Sequence, residues 1–359
     1  MAYTNIDDPS AYFHTLLWTG NGADDRALTN DANAGNFKPD WVWVKARSAA
    51  EWHNVYDSSR GANKGIYPND TYLEESLSQT FESFDTNGFT VSYNSAYSSV
   101  FTNKNSTTYV AWQWKANGGT TSSNSDGNIT STVQANTTAG FSIVTWTGNG
   151  SDNQTIGHGL GVKPTWWVVK RRDSAGSWVV GSSLGFWGGT SNYMLLNGTQ
   201  ANSDNVNNIW GDSPPNTTTI RVKNDAELNA NNGTYVAYVF ANKQGFSKCG
   251  SYEGNSNANG PFIYTGFKPA FVMLKPADVA EQWVMHDSAR DPFNKAYHYL
   301  FANGAEAEAS GGTHHIDLLS NGFKVRTSNA NWNASSTVAY FAFAENPFVT
   351  STGIPTTAR

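Results

Sequence analysis

Three stretches of this chain read alike, and a repeat at that scale constrains the fold more than any single motif. The first opens on "FHTLLWTGNG" (Phe13 to Gly22), the second on "FSIVTWTGNG" (Phe141 to Gly150) and the third, a weaker echo, on "FSKCGSYEGN" (Phe246 to Asn255). Each runs into a lysine-proline strand: "FKPDWVWVK" (37–45), "VKPTWWVVK" (162–170) and "FKPAFVMLK" (267–275). Each closes on an apolar strand: "TYVAWQW" (108–114), "TYVAYVF" (234–240) and "STVAYFAF" (336–343), whose valines are Val110, Val236 and Val338. A duplicated scaffold of this kind usually presents a surface rather than housing one active site.

The repeated pieces carry strand chemistry. "DWVWVKA" and "TWWVVKR" mix β-branched and aromatic residues in short runs bounded by polar residues. Pro39, Pro164 and Pro269 stand at strand entrances, where a missing N–H costs no ladder bond. Trp41 and Trp43 share one face of a strand and Val42 and Val44 the other. A strand apolar on both faces is buried between two layers. The expected fold is all-β, three tandem β-sandwich (jelly-roll-like) repeats. "TYLEESLSQTF" (71–81) is the best candidate for a helical turn, and "DVAEQWVMHD" (278–287) is read as strand.

The expected organisation is a first repeat over 1–117, a linker over 118–139, a second repeat over 140–245, a third over 246–348 and an extended C-terminal arm over 349–359. The linker is rich in Gly, Ser, Asn and Thr, which predicts flexibility; its middle, "NITSTVQAN", can lie down as an edge strand. The second and third repeats abut at Gly245-Phe246 and are expected to pack rigidly.

Composition removes several function classes. Only 14% of the 359 residues are charged and the net charge is -6, so the Lys/Arg clusters of a nucleic-acid binder are missing. The run Lys170-Arg171-Arg172 reads as a solvated strand end. No apolar run approaches the length of about 20 residues that spans a bilayer, and "MAYTNIDDPS" has neither the basic nor the apolar region of a signal peptide. The single cysteine, Cys249, excludes an internal disulfide and reads as a small buried hydrophobe.

Catalytic motifs are few. "GSSLG" (181–185) is a literal G-x-S-x-G around Ser183, but a nucleophile elbow needs a helix after it, and glycines follow here. The turns "DSSRG" (57–61) and "DSARD" (287–291) occupy the same place, so the motif is one drifted copy of a turn braced by Asp57–Arg60 and Asp287–Arg290. In the second repeat Gly181 and Leu184 align with that pair. His314-His315 point to opposite faces of a strand, and the remaining histidines have no ligand spacing. No cofactor and no metal site is expected. The loop tryptophans Trp187, Trp210 and Trp332 stand amid Gly, Asn and Ser, where exposed aromatics stack on sugars or anchor partners.

The string "GFSIVTWTGNGSDNQTIGHGLGVKPTWWVVKRRD" (140–173) resembles a TGNG/HGLG-type β-repeat module of structural proteins from tailed phages, many of them marine and cyanobacterial. The first repeat has "LTNDANAGNFKPD" where the module has "HGLG"; in the third, "TGNG" becomes "EGNS". The resemblance implies a non-enzymatic virion component with no catalytic residues to carry over. Two roles stay open, a tail-associated fibre or spike contacting host surface glycans and a capsid decoration or cement protein, with a polysaccharide-degrading enzyme as a third. The partners implied are other virion proteins and host glycans, with self-association left open, and the location implied is the virion.

Overall fold

The three repeats fold alike because the repeated strings are the strands of one sheet. The computed structural model describes residues 2–31, 37–97, 99–184, 192–203, 209–211 and 213–356. In the first unit the opening strand Phe13–Thr19 pairs with the closing strand Thr108–Trp114. Next in the sheet come the proline strand Trp41–Ala46, the turn strand Asn54–Asp57 and two edge strands, Gly61–Ile66 and Glu75–Ser76. The second unit repeats this order with Phe141–Thr147, Thr234–Phe240, Trp166–Arg171, Trp178–Ser182 and Tyr193–Leu195. The third does so with Ser247–Glu253, Thr337–Pro347, Phe267–Pro276, Val284–Asp287, His298–Phe301 and Ala309–Ser310. A smaller antiparallel sheet covers one face of each, for example Phe262–Tyr264, Gly322–Val325 and Ile316–Leu319 in the third unit. The all-β, three-sandwich architecture is therefore the fold of the chain.

The other face of each large sheet turns inward, and the three meet in one shared core. Trp41 stacks on Tyr238 with ring centroids 4.5 Å apart, Trp166 meets Phe341 at 4.5 Å, and Phe271 meets Trp112 at 5.6 Å. These pairs run from unit one to two, two to three and three back to one. The units form a closed ring in which each makes the same head-to-tail contact. Strand alternation explains it: Val110, Trp112 and Trp114 face the shared core, while Tyr109 and Ala111 face the first unit's own small sheet. Burying each such aromatic contributes about 1.5–3 kcal/mol.

The repeated lysine that ends each proline strand closes the ring from outside. Lys45, Lys170 and Lys275 have no exposed surface. Lys45 Nζ donates to Ala305 O (3.2 Å) in unit three, Lys170 Nζ to Thr71 O (3.0 Å) in unit one, and Lys275 Nζ to Thr199 O (3.1 Å) in unit two. Burial pulls all three ammonium groups down to about 8.

Four expectations change. Residues 118–139 carry two strands, Ser122–Asn124 and Ser131–Asn136, that extend the second unit's sheet beyond its opening strand. Ile129 and Val133 are buried in that unit's core, and the Gln134 amide donates to Ser58 Oγ (3.0 Å) and Ser59 Oγ (2.9 Å) of unit one. Segment 71–81 forms no helix. Glu74 N bonds Arg172 O of the second unit at 2.9 Å, and a short strand follows, so tertiary pairing overrides local propensity. The closing valines are not all equivalent: pairing aligns Val110 and Val236 with Ala339, because unit three holds one more residue between Phe246 and Gly254. That single step turns Val338 toward the opposite face. The tail is not an extended arm as far as residue 356. Thr356 N returns to Phe348 O (3.0 Å), and Ser351 N bonds Asp7 Oδ1 (2.6 Å) near the start of the chain.

Candidate functional site at the chain-junction end

The repeated loop motifs form clasps. In "TGNG" and "EGNS" the asparagine at the third position is Asn21, Asn149 or Asn255. Each is held by a fully buried partner: Asn103 Nδ2 donates to Asn21 Oδ1 (2.8 Å), Asn229 Nδ2 to Asn149 Oδ1 (3.1 Å) and Asn333 Nδ2 to Asn255 Oδ1 (2.9 Å). The preceding glycine is required, since a Cβ on Gly20, Gly148 or Gly254 would lie 2.1, 2.3 or 1.8 Å from a carbonyl oxygen. His158 of "HGLG" is likewise buried, receiving Leu160 N at Nδ1 (3.2 Å), and burial lowers its pKa.

The Asp–Arg turns brace more than themselves. Arg60 Nε donates to Asp57 Oδ2, and its Nη1 to Glu74 Oε2 (2.9 Å); Arg172 of unit two grips Glu74 from the other side at 2.9 and 3.0 Å. Tyr238 of unit two donates to Asp57 Oδ2 (2.6 Å). The third-to-first interface repeats the set with Arg290–Asp287 (2.5 Å), Arg290–Glu308 (3.1 Å) and Arg47–Glu308 (2.7 Å), with Trp112 Nε1 donating to Asp287 Oδ2 (3.1 Å). At the second-to-third interface Ser182 takes the aspartate's place, one residue beyond the Gly181 that sequence alignment suggests. Asn202 stands for the glutamate and Ala277 for the outer arginine, joined by Asn202 N to Ala277 O at 2.8 Å. These residues hold units together and face no open cleft.

The sequence-derived candidates fare unevenly. Trp187 lies outside the described residues. Trp210 and Trp332 are each 2% exposed, so neither offers a stacking surface. Trp210 packs edge-on against Trp167 at 5.2 Å, and Trp332 against His314 at 5.1 Å. Polar neighbours in sequence suggested loop tips; in space these rings plug the ends of their sandwiches. Ser183 Oγ donates to Pro164 O at 2.7 Å within its turn. His314 and His315, expected on opposite faces of a strand, line one gap together with His286 and Trp332, and Nδ1 of each histidine lacks a partner. Burial and then the Arg290 charge push His286 down to about 3. The gap measures about 10 Å³, too small for an organic ligand, and among the described residues no three His, Cys, Asp or Glu side chains are placed to hold a metal. Nor, among those residues, is any helix long and apolar enough to cross a membrane.

The open site lies elsewhere. Opening strands begin and closing strands end at the same end of the ring, so every link between units emerges there. The chain start crosses this end, with Thr4 Oγ1 donating to Gln244 O (2.8 Å) and Tyr3 Oη to Gly266 O (2.7 Å). Two adjoining clefts result. One, of about 450 Å³, is lined by Tyr3, Thr4, Asn5, Thr138, Lys243 and Gln244 among others; the next, of about 300 Å³, shares Tyr3, Lys243 and Gln244 and adds Asn242, Lys248 and Tyr264. The Tyr3 and Tyr264 hydroxyls are 3.1 Å apart, and Lys248 Nζ donates to Tyr264 O (2.8 Å) while lying 5.4 Å from that ring's centroid. Burial lowers both Lys243 and Lys248.

Unit three also breaks the threefold sameness. Exposed aromatics concentrate in unit three: Phe262, Tyr264, Phe293 and Tyr297, against Tyr72 alone in unit one and none among the described residues of unit two. The cleft was illegible in sequence because its walls come from residues 2–6, 137–138, 242–244 and 264–266, outside the repeated strings, and only Ser247 and Lys248 belong to one.

Residues 8–347 match a family model described as a domain of unknown function, DUF7483. No curated protein and no solved structure matches the chain. The family match runs from the first 3-10 turn (Pro9–Ala11) to the end of the last closing strand at Pro347, across all three units at once. The chain belongs to the DUF7483 family.

Proposed function

We propose that this protein is a non-enzymatic structural component of a tailed-phage virion, associated with the tail and facing the host surface. The observation that carries the reading is the tyrosine- and lysine-lined double cleft, open at one end of an otherwise near-symmetric ring. A closed body with interlocked units suits a particle part that must stay folded outside a cell, and aromatic, amide and hydroxyl groups in a cleft suit sugar recognition. The resemblance of residues 140–173 to phage structural modules supports the virion assignment. Several copies on one particle multiply a weak contact through effective concentration, by about 10² or more where geometry permits.

The ring's threefold sameness favours a second reading, a capsid decoration protein seated where three capsid subunits meet. Adsorption separates the two. Saturating free protein is expected to slow phage adsorption to host cells, and gold-labelled antibody to mark the tail. Unchanged adsorption, with label on the capsid and capsid fragility in depleted particles, replaces the tail role by decoration.

A further inference from the structure

We propose that the double cleft at the junction end is a binding site for an acidic oligosaccharide, with Lys243 and Lys248 meeting a sugar carboxylate and Tyr264 and Tyr3 offering ring faces to the pyranose. The inference rests on reading that cleft as the recognition surface and goes on to name its ligand class.

Four observations converge. First, neither cleft has an Asp or Glu among its lining residues, although the chain as a whole carries an excess of acids. Two lysines therefore set its sign. Second, both lysines are held in place. The Lys243 stem packs against Gly140, so close that a Cβ there would sit 2.8 Å from its Cε, and Lys248 is tied to the Tyr264 carbonyl and lies against that residue's ring. A fixed ammonium spends less entropy on capturing an anion than a free surface lysine does. Third, Tyr264 is 47% exposed while its neighbour Ile263 is buried, so the strand Phe262–Tyr264 holds the tyrosine outward as a platform. Fourth, Asn5, Thr137, Thr138 and Gln244 bring to the lining hydroxyls and amides of the kind that both donate to and accept from sugar hydroxyls, while Thr4, Asn242 and Ser247 are bonded within the protein and shape the wall.

Size and shape narrow the class. Clefts of about 450 and 300 Å³ lie within the usual range for small-ligand sites and adjoin through Tyr3, Lys243 and Gln244, which suits a short chain of rings better than a single one. A nucleic acid would need a longer basic track to follow its phosphates.

Titration calorimetry on the full chain tests this with tetragalacturonate, a glucuronate-containing tetrasaccharide and a sialylated trisaccharide as acidic probes. Maltotetraose is the neutral arm, and inorganic sulfate and phosphate are the anion arms. At least one acidic probe is expected to bind about tenfold or more tighter than maltotetraose, a difference that shrinks as salt rises. The double variant Lys243→Gln/Lys248→Gln is expected to remove that preference, and Tyr264→Ala to weaken every saccharide, with thermal melts unchanged. Equal binding of acidic and neutral probes, no binding of any saccharide, or sulfate binding as tightly as the sugars would each overturn the proposal. The two readings fail separately. If free protein blocks adsorption and the lysine variant blocks it equally well, the host-facing role stands and the acidic site falls. If the lysine variant loses acidic-sugar binding but wild-type protein never slows adsorption, the site stands and the host-facing role falls.

Discussion

Two of the three interfaces in the ring carry a buried set of paired acids and arginines, and among the described residues the third does not. Between units one and two, and between three and one, a buried aspartate, an arginine, a glutamate and a second arginine form a continuous set. Between units two and three the described positions are Ser182, Asn202 and Ala277, and the aromatic that reaches across is Phe341, which has no polar tip where Tyr238 and Trp112 have one. The backbone contact is nevertheless the same at all three: Glu74 N to Arg172 O, Glu308 N to Arg47 O and Asn202 N to Ala277 O at 2.9, 2.7 and 2.8 Å. The charges are therefore dispensable as a group to the geometry of docking. They are not dispensable singly, because removing one partner leaves the others buried and unpaired.

The largest expected effect follows from that distinction. Arg60→Ala leaves the buried Asp57 without a cation, held only by the Tyr238 hydroxyl and two backbone N–H groups, and leaves Glu74 with Arg172 alone; it is expected to cost about 3–5 kcal/mol in denaturant unfolding. Rebuilding the interface in the image of the uncharged one, with Asp57→Ser, Arg60→Gly, Glu74→Asn, Arg172→Ala and Tyr238→Phe together, is expected to cost less than Arg60→Ala alone. A five-fold variant no more stable than the single one would show that the charges do carry the docking.

Acidity probes a second difference between interfaces. Trp178 Nε1 donates to Tyr67 O (2.7 Å) and Trp283 Nε1 to Leu195 O (2.9 Å); the matching residue in unit one is His53, whose Nε2 faces Phe301 O at 3.0 Å while Nδ1 accepts from Trp43 Nε1 at 2.8 Å. Both ring nitrogens are committed with His53 neutral, and burial followed by the Lys45 charge holds it well below the ordinary histidine value. The unfolded chain binds the proton that the folded chain refuses. Stability is thus complete above about pH 6.5 and is lost as pH falls, by about 1.4 kcal/mol per unit for each such histidine. His286, at about 3, adds to the same limb. His53→Trp, which makes this interface resemble the other two, is expected to flatten the fall in melting temperature between pH 6.5 and 4.5. An unchanged slope would assign the acid sensitivity to His286 and its neighbours.

The smallest effect belongs to the uncharged interface. Asn202→Ala removes the Nδ2 bond to Ala277 O (3.1 Å) but leaves the backbone bond, and is expected to cost about 1 kcal/mol or less. A loss as large as that of Arg60→Ala would mean that one amide carries this interface.

Much of the fold could be read from residues that recur. Alternation of Trp41 and Trp43 against Val42 and Val44 announces a strand buried on both faces, and the structure gives the tryptophans to the shared core and the valines to the first unit's own core. That the second layer would be two other units was not legible, since apolar periodicity says that a face is covered and not by what. Val338 misled because the extra residue that shifts its register lies in a different strand, between Phe246 and Gly254. Within residues 118–139 the strand expected at "NITSTVQAN" forms, and what misled was the linker composition around it, since Ile129 and Val133 find an unpaired sheet edge. Trp210 and Trp332 misled for the same kind of reason, polar neighbours in sequence and apolar neighbours in space.

The head-to-tail ring is closed within one polypeptide, and that changes what mutation can do to it. In an assembly of three identical chains every substitution appears three times, and a change useful in one position must be tolerated in the other two. Here each position answers for itself. Among the described residues, the second-to-third interface has Ser182, Asn202 and Ala277 where the other two hold paired acids and arginines. Ser256 tolerates a left-handed backbone, φ 56°, where its counterparts Gly22 and Gly150 are glycines. Unit three has gathered four exposed aromatics, against Tyr72 in unit one and none among the described residues of unit two. Two copies can conserve the framework while the third is free to diverge, and dilution can never separate them.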